Sequence, residues 1–510
     1  MCRYYPTCAA VSSLSKVLKR RKRSASSVIT RLNKKINSVK NLQDMEKIIK
    51  DIGKAIDNTR TLVVAMKKFR LFGRPNRALE IFYLAWHHGL EPNVYTFTAA
   101  IAACDRQLNQ ALDLLEEMET RGLKPSAFTY GALISTCEKC GAWEKALDIF
   151  YTMKNQGIPP DRIVYNAILT ACERGGQWEK ALQLFNEMKL KSLSPNISSY
   201  NLTMSVLEKN HQHQKVLELF DEIEANNLSN ENIIVPTSLT YGLAISACQN
   251  QKNWQRALQL LEQCKSKEID NIIIYTGAMS ACEESGEWQK VLNLFDEILL
   301  RHRQNKHLIP NVITYTVALS ACEKGRQWKR ALHILFHEMP LRAVEPNGIT
   351  YSNAIATCEI CGQTALALQI YRRACSRGFF QSIRRSINLI DLHDLVVPVA
   401  KIAVRAAVED LQEKICFNDN CDISYELTVI TGQGIHSEGG ESVIKPAIIA
   451  LCQDHSNWHG LHIQCKEYNS NPGRLQLTMI PTLFSLSSSE SEEGGDGTDN
   501  DGNAPVASSL

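Results

Sequence analysis

Three short stretches toward the end of the chain carry residue types suited to chemistry on a phosphodiester. Ile390-Asp391-Leu392-His393 sets a carboxylate and an imidazole two residues apart, which on a strand puts both on one face. Such a pair can bind a divalent metal such as magnesium, or share general acid and base duties. Thr431-Gly432-Gln433-Gly434-Ile435-His436-Ser437 holds glycines that let a loop bring backbone N–H groups close to a phosphate, with His436 as a further positive or proton-donating contact. Asn471-Pro472-Gly473-Arg474-Leu475 adds a cation. The plainer alternative is a loop that grips nucleic acid while Asp391 and His393 hold a strand end together by hydrogen bonds. The stretches contain no complete metal cage and no nucleophile of their own.

The segments around these residues alternate in type. Apolar runs predict strands over 388–392, 425–430, 461–464 and 475–480, with helices over 399–411 and 443–451. That order predicts a small α/β sandwich over 387–480.

A different pattern fills the chain before it. Residues 162–196 form a 35-residue unit that recurs on both sides. Tyr165, Ile168, Leu169 and Cys172 lie at helical spacing, Gly175 and Gly176 end that helix, and Trp178, Ala181, Leu182, Phe185 and Met188 form a second stripe that Pro195 stops. Such a hairpin cannot cover its own apolar faces and must stack on its neighbours. Tyr130 with Trp143, Tyr241 with Trp254, Tyr275 with Trp288 and Tyr315 with Trp328 mark close copies, and looser ones start near Thr59, Val94, Ile197 and Gly348, giving nine units over 59–381. Insertions at 227–236 and 301–308 are expected to lengthen a helix or protrude as loops. The five tryptophans are expected in the hairpin core.

Totals constrain the class. At 510 residues the chain is too long for one compact core, which fits an elongated array plus a further domain. The net charge of +3 hides an asymmetry: residues 1–43 hold 11 Lys or Arg and no acid, whereas residues 485–510 hold six acids and no base. The body between them is slightly acidic, so bulk charge does not announce a nucleic-acid partner. The first segment, basic and Ser-rich, reads as a transit peptide for mitochondrion or plastid, with the 19–23 basic cluster as an alternative nuclear signal. The last reads as a disordered acidic tail. No apolar run reaches membrane-spanning length. Among 17 cysteines, Cys104, Cys137, Cys172, Cys248, Cys282, Cys322 and Cys358 occupy one repeat position, a packing signal rather than a disulfide ladder or zinc site.

The units resemble pentatricopeptide repeats in their period, their Tyr-Asn or Tyr-Thr opening (Tyr165-Asn166, Tyr315-Thr316), Ala-Leu in the second helix, and a Pro-Asn or Pro-Asp close (Pro195-Asn196, Pro160-Asp161). Tetratricopeptide repeats have a 34-residue period and carry tryptophan in the first helix, not at the start of the second. The resemblance implies a mainly α, right-handed helical-hairpin solenoid that binds single-stranded RNA, about one base per repeat. It also implies two reading positions, the residue after the first-helix tyrosine and the last residue of the unit. Here these are Thr98 with Ser126, Gly131 with Asp161, Asn166 with Asn196, Asn201 with Thr237, Gly242 with Asn271, Thr276 with Asn311, and Thr316 with Asn347, followed by Ser352. By that analogy Thr/Asn units favour adenine and the Asn/Asn unit cytosine, while glycine units lack a side chain to read with. Helix N-capping accounts equally well for the last position. It does not account for Asn or Thr just inside the first helix, where both are weak helix formers.

The segment 387–480 resembles the Smr (small MutS-related) domain through Ile390-Asp391-Leu392-His393, Thr431 to Ser437, and Asn471 to Leu475. Relatives often have Trp where Gln433 stands. With the repeats, the whole resembles organellar pentatricopeptide proteins bearing a C-terminal Smr domain. That resemblance implies an RNA-binding protein of organelle RNA metabolism whose Smr domain cleaves or trims the bound strand as an endonuclease. Asp391, His393 and His436 would then be catalytic, and Thr431, Gly432, Gly434 and Arg474 would contact nucleic acid. The alternatives are a non-catalytic RNA stabiliser, or a helical-repeat protein scaffold. Single-stranded RNA is the expected partner, and no membrane insertion is expected.

Overall fold

In a computed structural model the chain is described over residues 59–87, 89–191, 193–229, 233–302, 305, 308–386, 388–416, 425–432, 443–454, 458, 461–467 and 473–481. The expectations for 1–43, for 485–510 and for Gly434 and His436 lie outside these residues. The chain divides into two compact units, Met1–Val317 and Ala318–Leu510.

The first unit is a succession of helical hairpins. They are α1 (Thr59–Leu71) with α2 (Pro75–His87), α3 (Val94–Ala103) with α4 (Leu108–Thr120), α5 (Ala127–Lys139) with α6 (Trp143–Asn155), α7 (Arg162–Arg174) with α8 (Trp178–Leu190), α9 (Ile197–Lys209) with α10 (His213–Ser229), α11 (Ser238–Asn250) with α12 (Trp254–Ser266), and α13 (Ile272–Glu284) with α14 (Trp288–Arg301); α15 (Val312–Lys324) opens another. Each starts where a repeat copy starts. From α3 to α13, each first helix packs on its own second helix and on the first helix of the next hairpin where both lie in this unit, which buries the stripes no single hairpin could cover.

The first-helix tyrosines sit at these junctions. Tyr165 is wholly buried and meets Phe150 of the preceding hairpin edge to face at 5.4 Å, and Tyr200 meets Phe185 likewise at 4.8 Å. Their hydroxyls donate to the carboxylates of Glu187 and Glu222. Buried polar tips are thereby paired. The repeat cysteines are free and buried, and burial pushes the Cys172 thiol up to about 11.

The tryptophans differ from expectation. Trp143, Trp178, Trp254 and Trp288 are only half-buried. They stand at the first position of the second helix, at the rim of the junction, and in three of them a lysine of the next hairpin covers the ring: Lys180 lies 4.9 Å from Trp143, Lys215 3.9 Å from Trp178 and Lys290 3.5 Å from Trp254. Gly175 is tied to this arrangement, because a Cβ there would lie 2.4 Å from Cγ of Trp143. The insertion after α9 extends α10 to 17 residues. Asn227 then fixes the return, donating to the Ile234 carbonyl and accepting from its N–H at 2.7 Å each.

The second unit takes up the rest of α15 and then α16, α17 (Gly348–Ile360) and α18 (Thr364–Ser376). α16 is irregular: an α-helical start, Trp328–His333, passes through a π-helical turn, Ile334–Glu338, into Met339–Leu341. The chain has one residue more here than in α8. Ile334 and Leu335 take the buried places of Leu184 and Phe185, Met339 that of Met188, and the surplus residue is Phe336.

The hairpins are followed by a five-stranded sheet, β1 (Arg384–Ser386), β2 (Leu389–Asp391), β3 (Tyr425–Ile430), β4 (Leu461–Glu467) and β5 (Arg474–Pro481), in the order β1-β2-β3-β5-β4. Among the described strands only the β2/β3 pair is parallel. α19 (Val397–Cys416) forms the crossover between those two strands, as a parallel connection requires, and packs on α17, α18 and α20 (Ile444–Gln453). Arg372 of α18 reaches Glu409 and Asp410 of α19 at 3.0 and 3.3 Å. β1 was not anticipated from the sequence. Its Arg-Arg-Ser residues are all exposed and give no apolar signal. No helix among the described residues is long and apolar enough to cross a membrane.

Candidate functional site

Within the first unit the reading positions form a ladder. The last residue of each unit is the N-cap of the following first helix: Ser126, Asp161, Asn196, Thr237 and Asn271 each accept from backbone N–H groups of the first turn, and Asn311 accepts from Thr314 N–H at 3.0 Å. Capping is therefore present at every one of these positions. The residue after the tyrosine is half-buried in most hairpins and 9% exposed at Thr276.

A third residue, missed from the sequence, joins the two. The hydroxyl of Ser199, third in α9, lies 2.7 Å from Oδ1 of Asn166 and 3.0 Å from Oδ1 of Asn196. Thr240 sits likewise 2.8 Å from Asn201 and 3.1 Å from Thr237, Thr129 2.8 Å from Thr98 and 3.1 Å from Ser126, and Thr314 3.0 Å from Thr276 and 3.1 Å from Asn311. Where the reading position is glycine, the third residue is apolar instead: Val164 follows Gly131 and Ile274 follows Gly242. The glycines opposite Val164 and Ile274 offer a hydroxyl no partner; in α3, where the preceding hairpin has Val63, the buried Thr96 hydroxyl donates within its own turn, to the Asn93 carbonyl at 2.8 Å. Because Asn166 and Asn196 accept at Oδ1, each is left with its amide nitrogen, a donor, to offer to a docked group.

Between these polar pairs stands a row of exposed apolar side chains. Tyr95, Phe128, Ile163, Leu239, Ile273 and Ile313, all second in their helices, are 58–75% exposed. Ser198 interrupts the row in α9; elsewhere an exposed apolar residue at this one position of each hairpin is the arrangement that planar apolar faces of a ligand would fill. The repeat period of these positions was visible in the sequence; their exposure was not.

In the second unit the described residues of the three C-terminal motifs converge on one end of the sheet. Asp391 pairs across the ladder with Ile430, and Ile430 with Arg474, so the end of β2, the loop after β3 and the start of β5 are neighbours. Thr431 is buried and its N–H donates to the Gly473 carbonyl at 2.9 Å. Gly432 has φ +75° and packs so closely that a Cβ would lie 3.2 Å from that of His393.

Asp391 is nearly buried and both its oxygens are engaged. Oδ1 lies 2.6 Å from Nδ1 of His393, and Oδ2 lies 2.5 Å from Nη2 of Arg385 on β1. His393 is not on the strand as expected; it lies in the turn beyond β2, and the turn folds its ring back onto Asp391. Its Nε2 meets Asp394 at 2.9 Å, and the ring is half-exposed. The hydrogen bond to Asp391, opposed by slight desolvation and reinforced by the charges of Asp391 and Asp394, raises the histidine pKa above its ordinary value. The imidazole at the sheet end therefore keeps its proton to higher pH than a free one, which suits it to gripping a phosphate or giving up a proton.

The same engagement bears on magnesium. A hard divalent ion needs several free oxygens. Asp391 has none to spare, and among the described residues no group of three His, Cys, Asp or Glu side chains is placed to hold a metal. The described residues do not fit that ion.

Residues 80–140, 113–174, 148–210 and 298–363 match the family model described as the pentatricopeptide repeat domain, and residues 198–228 and 273–302 match that of the PPR repeat. The chain carries pentatricopeptide repeats over these residues. No curated protein matches it in sequence. Among solved structures it is similar to the pentatricopeptide repeat protein PPR10 in complex with an 18-nt psaJ RNA element, at 16% identity and a TM-score of 0.47 over 85% of this chain and 62% of that one. It is similar also to PPR10 from maize, at 16% identity and 0.45 over 88% and 63%, and to the PPR domain of Arabidopsis thaliana protein-only RNase P 1 in complex with tRNA, at 18% and 0.31 over 37% and 95%. The chain thus spans 62% of the length of the first of these structures.

Proposed function

We propose that the pentatricopeptide repeats of this chain bind single-stranded RNA, each hairpin presenting one set of polar side chains to one base. The observation that carries this reading is the alternation along the first helices of exposed apolar residues such as Ile163 with hydrogen-bonded polar pairs such as Asn166 and Asn196. The apolar residues supply stacking faces, and the oriented amides supply the donors and acceptors that tell bases apart. Thr98, Asn166, Asn201 and Thr276 read together with the caps, while the hairpins with Gly131 and Gly242 accept a base without selecting it. Selection of RNA from a random single-stranded pool by the purified chain tests this. An enriched sequence whose recovery is lost in Asn166→Ala is expected; a pool that remains random overturns the reading.

The C-terminal domain, with its resemblance to Smr, acts on the strand that the repeats hold. Water adds to the scissile phosphorus and gives its proton to solvent while the P–O bond to the leaving oxygen breaks and His393 protonates that oxygen; Asp391, itself clamped by Arg385, keeps the imidazole oriented and raises its proton affinity. Gly432, Gly434, His436 and Arg474 bind the phosphate, while Thr431, buried and bonded to the Gly473 carbonyl through both its N–H and its hydroxyl, holds the sheet end together rather than touching the strand. The selected RNA should be cut by the intact chain, and His393→Ala should abolish cutting while leaving affinity unchanged. Footprints without products would leave a protective RNA-binding protein, and equal cutting by the variant would remove His393 from the reaction. The basic segment 1–43 supports import into mitochondrion or plastid, which a fluorescent fusion of that segment would localise.

A further inference from the structure

The first hairpin departs from a charge pattern that five of the next six keep. The twelfth place counted from the start of each first helix holds Asp105, just past α3, and then Glu138, Glu173, Glu208 and Glu283, with Gln249 as the exception, whereas the first hairpin has Arg70. Three of those acids are neutralised by the hairpin that follows: Asp105 by Lys139 at 2.8 Å, Glu138 by Arg174 at 3.1 Å and Glu173 by Lys209 at 2.9 Å. α1 also has Lys67 where the others have a small residue, and Val63 at the reading position. It cannot address a base edge through that position, and it offers two positive charges instead.

Those charges border a cavity of about 350 Å³, lined among others by Lys67, Arg70, Tyr95, Thr98, Ser126 and Phe128. That volume falls within the range of about 300–1,000 Å³ typical of small-ligand clefts. Tyr95 and Phe128 are 75% and 67% exposed, and they are aromatic where the later hairpins carry isoleucine, leucine or serine. Arg70 makes one long contact, 3.5 Å to the Ala102 carbonyl, and Lys67 pairs with no acid among the described residues.

Aromatic faces beside two uncommitted cations recognise a nucleotide whose phosphate is more highly charged than an internal diester. A phosphate monoester carries about −1.5 to −2 at neutral pH, a full match for two cations, and guanidinium holds it through paired hydrogen bonds. We propose that this cavity binds the terminal nucleotide of the RNA strand, its base against Tyr95 and Phe128 and its terminal phosphate on Lys67 and Arg70. The proposal rests on the RNA-binding reading above.

The test uses the full chain and the RNA it selects, synthesised with a 5′-phosphate, with a 3′-phosphate, or with hydroxyls at both ends. One phosphorylated form should bind about five- to tenfold more tightly than the hydroxyl form, and Lys67→Gln with Arg70→Gln should erase that difference while leaving affinity for the hydroxyl form unchanged. Which end gains identifies the polarity of the strand. Equal affinity of all three RNAs for the intact chain overturns the terminal-phosphate site alone, as does a double variant that weakens all three alike, which would mean an internal diester. Failure to select any RNA overturns both this proposal and the reading beneath it.

Discussion

Ser199 and Asn166, 33 residues apart, are joined by a 2.7 Å hydrogen bond that crosses from one hairpin to the next. The same serine stands beside Asn196, the cap of its own helix. One hydroxyl therefore couples the two side chains proposed to read a base. Ser199→Ala should cost about 1 kcal/mol of stability in urea unfolding. It should also broaden base choice at the position that Asn166 and Asn196 read, in selection from a random pool. Unchanged selectivity would show that these amides are held by something else.

The glycine hairpins provide the converse experiment. Gly131 faces Val164, with 3.4 Å between a built Cβ and the valine methyl. Gly131→Asn alone places an amide against that methyl and should destabilise the chain by about 1–2 kcal/mol without creating base choice. Gly131→Asn combined with Val164→Ser rebuilds the Asn166–Ser199 arrangement and should confer selectivity at that hairpin. A single variant that selects as well as the double would contradict the coupling.

Gly175 should tolerate no side chain. Gly175→Ala drives its methyl into the Trp143 ring, and a loss of roughly 1–3 kcal/mol is expected from overpacking. Combined with Trp143→Leu the alanine should cost far less, because the obstacle is gone. Equal losses in the two backgrounds would disprove the clash.

The π-helical turn predicts an unusual deletion. Phe336 is the surplus residue of α16, half-buried beneath the guanidinium of Arg373 at 4.6 Å. Its removal should leave stability within about 1 kcal/mol by returning the segment to regular α-helix. Deleting Asn186 from α8 should instead rotate Met188 out of the core and cost roughly 2–5 kcal/mol. Denaturant unfolding of both deletions measures the contrast.

His393 gives a pH prediction. Its pKa is raised by Asp391, so the stabilisation from the protonated pair is fully present below the unfolded value of about 6.5 and fades as pH rises through the higher folded value. Asp391→Asn should move the titration midpoint of the ring, followed by NMR, down toward about 6.5. A midpoint already at that value in the intact chain would mean that the pair does not form. Cleavage, if His393 is its acid, should decline over the same raised midpoint.

Local signals were legible in the residues themselves. The starts of α7, α9 and α13, their caps at Asp161, Asn196 and Asn271, and the buried stripe of Tyr165, Ile168, Leu169 and Cys172 all follow from spacing within one helix and its first turn. The strands carrying Val429 and Leu477 were readable for the same reason. Other features depended on segments far apart in the chain. Arg-Arg-Ser becomes a strand only because β2 offers it an edge, and so Arg385 reaches Asp391 without any sequence mark. Aligning the repeats by type sets Leu335-Phe336 against Leu184-Phe185, whereas packing buries Ile334 and Leu335 and turns Phe336 aside. Trp143 reads as core by its spacing and lies at a rim, because the next hairpin brings a glycine and a lysine to it rather than an apolar wall. Period and capping chemistry act over a few residues and can be read in order; which hydroxyl meets which amide depends on how one hairpin settles on the next, and only the folded chain decides it.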